Sequence, residues 1–88
     1  MRKTQFNQQA FLEIRYWLKN DRKLLDRILR IIEETEDNPF EGIGKSEPLK
    51  GNLKGLWSRR INDEHRLLYE VTDECIIIHK MKGHYGDK

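Results

Sequence analysis

The spacing of apolar residues changes from helical to strand-like near residue 38 of this 88-residue chain. Before that point, two apolar stripes recur every three or four residues, as on one face of an α-helix. Asn7 is the predicted N-cap of the first helix and Asp21 that of the second. Asn38-Pro39 ends the second helix, because the residue before proline disfavours helical backbone angles. Because the connection between the two helices at Asp21 is very short, we predict that they form a helical hairpin.

The second half of the chain has the composition of short strands. Runs rich in β-branched and aromatic residues cover 56–61, 66–71 and 75–79, and polar turns separate them at 62–64 and 72–74. Such short turns join antiparallel neighbours, since a parallel crossover needs a dozen or more residues. Glycines mark 40–55 as loop, and a leading strand around 3–6 is only weakly signalled. The predicted fold class is α+β, an N-terminal helical hairpin packed on one face of a small antiparallel β-sheet.

The composition predicts a single domain, 1–88, with an open site. Charged and apolar residues each make up 36% of the chain, which leaves little apolar material for a deep pocket and favours a polymer as ligand. The lone cysteine, Cys75, excludes an internal disulfide, and its apolar neighbours predict a buried, inert thiol. The chain has neither the ~20-residue apolar stretch of a membrane span nor an apolar secretion signal at its start. We therefore expect a cytoplasmic protein with no membrane partner.

The net charge of +2 is unevenly distributed along the chain. Residues 1–44 carry eight Lys/Arg and eight Asp/Glu, whereas residues 45–66 carry six Lys/Arg against three Asp/Glu, a net charge of +3. The last 22 residues have a net charge of −1. A polyanion would therefore be attracted first to the middle segment.

Candidate functional residues are concentrated in that segment. Arg59 and Arg66 lie on predicted strands either side of a tight turn, and Lys45 and Lys50 flank Glu47 in the preceding loop. Guanidinium groups bind phosphate through paired donors, and lysines add point charge. The alternative is a rim of solvated charge. A carboxylate among cations is unhelpful for binding phosphate alone, but it is useful where a nearby hydroxyl must lose a proton.

A second cluster lies four residues from the C-terminus. Histidine as a residue type ionises near neutral pH, so His84 is a candidate acid or base, and Tyr85 can stack on a nucleobase. Gly83 gives the backbone freedom to turn this pair towards the sheet. The alternative is a mobile tail. For the other two histidines we predict non-catalytic roles, His65 at the surface and His79 in the structure.

Several common site motifs are missing from the sequence. It contains no CxxC pair, no HExxH, no Walker loop and no GxGxxG. The histidines lack the spacing of metal ligands, and the acids are scattered. We therefore predict neither a metal nor another cofactor.

Several segments together resemble a known family. These are Asn38-Pro39-Phe40-Glu41-Gly42, the run GKSEPLKGNLKGLWSRRINDEHRLLYEV from 44 to 71, and Gly83-His84-Tyr85. In order and spacing they are similar to the YoeB (Txe) branch of the RelE superfamily of toxins. The resemblance covers well over half of the chain and implies a ribonuclease that cuts messenger RNA in the ribosomal decoding site, without a metal.

The resemblance also implies a role for each candidate residue. Glu47 matches the general base, Arg66 the phosphate-stabilising arginine and His84 the general acid. Tyr85 matches the tyrosine that orients the substrate. The flanking cations that hold the RNA backbone would be Lys45, Lys50 and Arg59.

The partners follow from the same resemblance. It implies messenger RNA and the ribosome as targets, a YefM/Axe-like antitoxin that covers or displaces the C-terminal tip, and a homodimer of the free toxin. Two alternatives remain open. One is a ParE-like toxin directed at DNA gyrase, although such relatives generally lack the set of acid, arginine and histidine. The other is a non-catalytic RNA-binding module, which would explain the cations but neither Glu47 nor His84.

Overall fold

Two helices and five strands make up the part of the chain that the structure describes. A computed structural model describes residues 1–42 and 44–84. In chain order the elements are β1 (Lys3–Phe6), α1 (Gln8–Asn20), α2 (Arg22–Asp37), β2 (Glu47–Pro48), a 3₁₀ turn (Gly51–Leu53), β3 (Leu56–Arg60), β4 (Arg66–Val71) and β5 (Cys75–Lys80). Among the described residues, no helix is long and apolar enough to cross a membrane.

Both helices begin at the predicted caps. The Oδ1 of Asn7 accepts a hydrogen bond from the Ala10 N–H at 2.9 Å, and that of Asp21 accepts one from the Leu24 N–H at 3.0 Å. The N–H of Asp21 also donates to the Trp17 carbonyl at 2.8 Å, so this one residue ends α1 and begins α2. Caps of this type typically contribute about 1 kcal/mol each to helix stability.

The sheet is mixed, and the prediction of an antiparallel sheet is wrong at one edge. Its strand order is β1-β5-β4-β3-β2, and three of the four pairings are antiparallel. The exception is β1, which runs parallel to β5 with Lys3 opposite Cys75 and Phe6 opposite Ile78. Turn length could not predict this pairing, because both helices and three strands separate β1 from β5 along the chain.

The hydrophobic core lies between the helical hairpin and one side of the sheet, as predicted. The helices contribute Ala10, Trp17, Leu25, Ile28, Ile31 and Ile32. The strands and the segments next to them contribute Ile61, Leu67, Tyr69, Ile76, Ile78 and Met81. We call this side of the sheet the helix-facing side and the opposite one the open face.

Strand alternation decides which side chains reach the core. In β5 the fully buried residues are Ile76 and Ile78, so Cys75 must point to the open face, where it is partly exposed. The prediction of a buried thiol is therefore wrong. In β4 and β3 the same alternation turns Arg66, Ser58 and Arg60 to the open face.

Candidate functional site

A cleft of about 350 Å³ lies on the open face where β2, β3 and β4 adjoin. Its lining residues are Gly44, Lys45, Glu47, Ser58, Arg60 and Arg66. Strand pairing explains how they meet: Glu47 of β2 is opposite Ser58 of β3, and Arg60 of β3 is opposite Arg66 of β4. One carboxylate, two guanidiniums and one ammonium therefore line the same cleft.

The loop before β2 is fixed against β3 at Gly44. The Gly44 carbonyl accepts a hydrogen bond from the Arg60 N–H at 2.9 Å. Gly44 has a φ of +82°, and a Cβ at this position would lie 2.5 Å from the Arg60 carbonyl oxygen. Glycine is thus required by both backbone angle and close approach. This contact sets the position of the adjacent Lys45 at the edge of the cleft.

Glu47 is presented on a very short edge strand. Glu47 is exposed, and its carboxylate forms no ion pair with the described residues. The strand is held at one end by the Leu49 N–H, which donates to the Leu56 carbonyl at 2.9 Å. At the other end, Ser46 Oγ lies 3.2 Å from the Tyr69 hydroxyl. The backbone on either side of Glu47 is thus held in place, and its exposed carboxylate is available to an incoming ligand.

The guanidinium of Arg66 is oriented by the turn that precedes it. Its Nη1 donates to the carbonyls of Asn62 at 2.7 Å and His65 at 3.1 Å, and the residue is half-buried. A guanidinium has five N–H donors, so others remain for a ligand. The arginine is therefore preoriented rather than flexible.

The chain segment that carries His84 is anchored beside Arg66. The Arg66 N–H donates to the Gly83 carbonyl at 3.0 Å. His84 is exposed and follows directly, with its Cα about 3.8 Å from that of Gly83. His84 therefore follows a backbone anchor on Arg66, but it is not among the described residues that line the cleft. The predicted substrate residue Tyr85 lies outside the described residues.

The predicted role of Arg59 in binding RNA is wrong, because its side chain is used by the protein itself. Arg59 is 0% exposed on the helix-facing side and forms an ion pair with Glu34 at 2.6 Å between Nη1 and Oε1. Its Nη2 donates to the carbonyls of Asn38 at 2.5 Å and Glu41 at 2.8 Å. It thus ties the loop after α2 to the sheet.

Arg60, which the sequence analysis missed, is the arginine of β3 that lines the cleft. It is exposed and pairs with Asp63 at the surface. A signal was available in the strand itself, where Trp57 and Ile61 lie two residues either side of Arg59. Large apolar residues at that spacing place Arg59 on the side that faces the core and Arg60 on the other.

The two predicted cations of the loop, Lys45 and Lys50, lie at different sites on the surface. Lys45 lines the cleft, as noted above. Lys50 is exposed and lines a neighbouring shallow depression beside Glu47, together with Pro48, Leu49 and Leu53. Lys50 is thus on the far side of Glu47 from the two arginines.

The two remaining histidines differ in their surroundings. His65 was predicted at the surface, but its side chain is only 16% exposed and packs edge-to-face on Trp17, with ring centroids 4.8 Å apart. His79 is partly exposed, and its Nε2 lies 3.2 Å from the Glu70 carboxylate. Among residues 1–42 and 44–84, no group of three or more histidine, cysteine or acidic side chains is placed to hold a metal ion.

Comparisons with known proteins give one consistent result. A family model described as the YoeB-like toxin of bacterial type II toxin-antitoxin system matches residues 6–85. Toxin RelK of Mycobacterium tuberculosis is 48% identical over 97% of this chain and 100% of its own. A solved YoeB dimer from Staphylococcus aureus superimposes with a TM-score of 0.87 at 45% identity, over 96% of this chain and 98% of that one.

A second solved structure shows a relative with its partner. The chain matched in the YoeB-YefM complex from Staphylococcus aureus has a TM-score of 0.86 and 43% identity. The match covers 97% of this chain and 99% of that one.

Proposed function

Since this chain belongs to the YoeB-like toxins of bacterial type II toxin-antitoxin systems, we propose that it is a metal-independent endoribonuclease that cuts messenger RNA in the ribosomal decoding site. The observation that carries the proposal is the composition of the cleft on the open face. Glu47 shares it with Arg60 and Arg66, and the chain anchored beside Arg66 leads directly into His84. The cleft thus offers a base and two phosphate ligands, and the chain beside Arg66 supplies a candidate acid.

The proposed reaction uses the 2′-hydroxyl of the RNA as nucleophile. Glu47 removes the hydroxyl proton, and the 2′-oxygen attacks the adjacent phosphorus in line. The bond from phosphorus to the 5′-oxygen of the next nucleotide breaks, and His84 donates a proton to that oxygen. The products are a 2′,3′-cyclic phosphate and a free 5′-hydroxyl, so every atom and proton is accounted for without a metal.

The cations stabilise the charge that develops on the phosphate. Arg66 is the best placed, because its orientation is set in advance by the carbonyls of Asn62 and His65. A preoriented donor of this type contributes about 3 kcal/mol to transition-state stabilisation, and acid or base catalysis contributes about 10²–10⁴-fold in rate. We assign Arg60 and Lys45 to the same phosphate and Lys50 to a flanking one. Tyr85 would orient the substrate.

The test of this proposal is cleavage of a ribosome-bound message that carries one 2′-deoxy nucleotide at the cut site. We expect the all-ribose message to be cut and the substituted one to stay intact, because the attacking oxygen has been removed. A matched message with the 2′-deoxy nucleotide one position away controls for binding. Cutting at the substituted site would exclude the cyclising route.

The same assay separates the alternatives. A gyrase-directed toxin would leave both messages intact and act on DNA supercoiling instead. A non-catalytic RNA-binding module would bind both messages without cutting either. The proposed target, a translating ribosome, implies that the protein acts in the cytoplasm.

We also propose that an antitoxin of the YefM/Axe type inhibits this chain, and that the free toxin forms a homodimer. Support comes from the Staphylococcus aureus relatives, which were solved as a YoeB-YefM complex and as a YoeB dimer. Co-expression with the product of the neighbouring open reading frame should yield a complex that no longer cuts message. A neighbour that binds without inhibiting, or inhibits without binding, would contradict this proposal, and light scattering of the free toxin tests the dimer.

A further inference from the structure

Two of the three residues before His84, Met81 and Lys82, are held by side chains of α1. At Met81 the N–H donates to Glu13 Oε1 at 2.6 Å, and the carbonyl accepts from Trp17 Nε1 at 3.2 Å. The Lys82 ammonium lies 4.6 Å from the centre of the Tyr16 ring. These contacts fix the segment on α1, but none of them reaches Gly83, the residue directly before His84.

His65 holds Gly83. The Gly83 N–H donates to His65 Nδ1 at 2.8 Å, while the Gly83 carbonyl accepts from the Arg66 N–H at 3.0 Å. Gly83 has a φ of +88°, a backbone conformation that other residues rarely adopt. The peptide groups either side of the Gly83 Cα are therefore both bonded to the 65–66 segment, one by a side chain and one by the backbone.

His65 is itself held in place by its ring and by its backbone. It packs edge-to-face on Trp17, and its backbone N–H donates to Asn62 Oδ1 at 2.8 Å. Its carbonyl accepts from the Arg66 guanidinium at 3.1 Å. One residue thus contacts both the chain that leads to the proposed acid and the arginine that faces the phosphate.

The hydrogen bond to Gly83 also specifies the protonation state of the ring. A nitrogen that accepts from an N–H must carry a lone pair, so the His65 proton is on Nε2. Nε2 lies 4.0 Å from the Glu64 carboxylate. A ring protonated on both nitrogens could not accept the Gly83 N–H.

We propose that His65 is a positioning residue for RNA cleavage: as the neutral Nε2–H tautomer, it fixes Gly83 and so sets where His84 meets the leaving oxygen. This proposal rests on the proposed ribonuclease function. His65 touches neither substrate nor reacting atoms. Its effect is on the geometry of the acid, and misplacement of a reacting group by about 1 Å can cost about 100-fold in rate.

Two substitutions separate positioning from packing. His65→Phe keeps an aromatic ring against Trp17 but has no acceptor, whereas His65→Asn loses the ring and keeps an acceptor, Oδ1, near the position of Nδ1. If only packing mattered, Phe would be the milder change. We expect the opposite order for the single-turnover rate of cleavage, with His65→Phe slower by about 10- to 100-fold and His65→Asn close to wild type.

Message affinity and a matched histidine variant provide the internal controls. The concentration of chain that gives half-maximal rate should change less than about twofold in His65→Phe, because no phosphate ligand is removed. His79→Phe is the matched control, since it makes the same change at a histidine on β5 that pairs with Glu70. It should leave the rate unchanged. Equal rates for wild type and His65→Phe, or a Phe variant faster than the Asn variant, would overturn the proposal.

A measurement without RNA tests the contact by itself. Nitrogen-15 shifts of the His65 ring should show a proton on Nε2 alone, and hydrogen exchange at the Gly83 amide should be at least tenfold faster in His65→Phe than in wild type. An unchanged Gly83 amide would overturn the positioning role whatever the cleavage rates. A wild-type chain that leaves the message intact would instead overturn the ribonuclease proposal, so the two failures are distinguishable.

Discussion

Arg59 and Arg60 are neighbours in β3, yet the protein uses them in opposite ways. Arg59 points to the helix-facing side, is fully buried and is bonded to Glu34 and two carbonyls. Arg60 points to the open face and lines the cleft beside Arg66. The same residue type therefore stabilises the fold on one side of the sheet and lines the proposed site on the other.

The two sides are mechanically connected at Gly44. A Cβ there would lie 2.5 Å from the Arg60 carbonyl and 2.7 Å from the Arg59 Cγ. Arg59 ties the loop after α2 to the sheet, and the same loop continues through Gly44 into Lys45 and β2. The helix-facing side thus stabilises the fold, and in doing so it shapes the cleft on the open face.

The largest effect on cleavage is expected from a substitution on the open face. Replacing Glu47 by Gln keeps the shape but removes the base, so the cleavage rate should fall by about 10²–10⁴-fold. The urea midpoint should hardly change, because the side chain is exposed and forms no ion pair with the described residues. Undiminished cleavage of ribosome-bound message by this variant would remove Glu47 from the mechanism.

The next largest effect is expected on stability, from a substitution on the helix-facing side. Arg59→Met leaves Glu34 without its partner and two carbonyls without a donor, so we expect a loss of about 3 kcal/mol in the free energy of unfolding. This figure is at the low end of the range for broken buried pairs, because Glu34 retains 27% side-chain exposure. Urea unfolding measures it. A variant as stable as wild type would show that the buried network has no net stabilising effect.

The smallest effect is expected from the same substitution at Arg60, which allows the two adjacent arginines to be compared directly. Arg60→Met removes one exposed phosphate ligand, so cleavage should fall by about tenfold, the equivalent of one charge-assisted hydrogen bond. Its surface pair with Asp63 contributes little, and stability should change by less than about 1 kcal/mol. If Arg60→Met unfolded the protein or Arg59→Met left it as stable as wild type, the division between the two sides would be wrong.

Much of the candidate site was predictable because its residue types differ from those of their neighbours in sequence. Glu47 is an isolated acid among cations, and it lines the same cleft as the predicted Arg66 and Lys45. Residue type alone could not place Arg59, because strand alternation decides which side of the sheet its side chain faces. The spacing of Trp57 and Ile61 around it contained that information.

Other features depend on contacts between residues far apart in sequence. The parallel pairing of β1 with β5 joins segments some 70 residues apart, so no local pattern sets its direction. The hydrogen bond from Gly83 to His65 spans 18 residues and exists only because β4 and the chain after β5 lie side by side. For the same reason His65, predicted at the surface, packs on Trp17 of α1.

Caps, apolar periodicity and turn lengths act over a few residues, and they were sufficient to predict both helices, the three main strands and the α+β class. The direction of β1, the burial of Arg59 and the anchoring of Gly83 arise from long-range pairing and packing. Those interactions stabilise the protein only once the chain has folded, because only then are the partners close together and shielded from water.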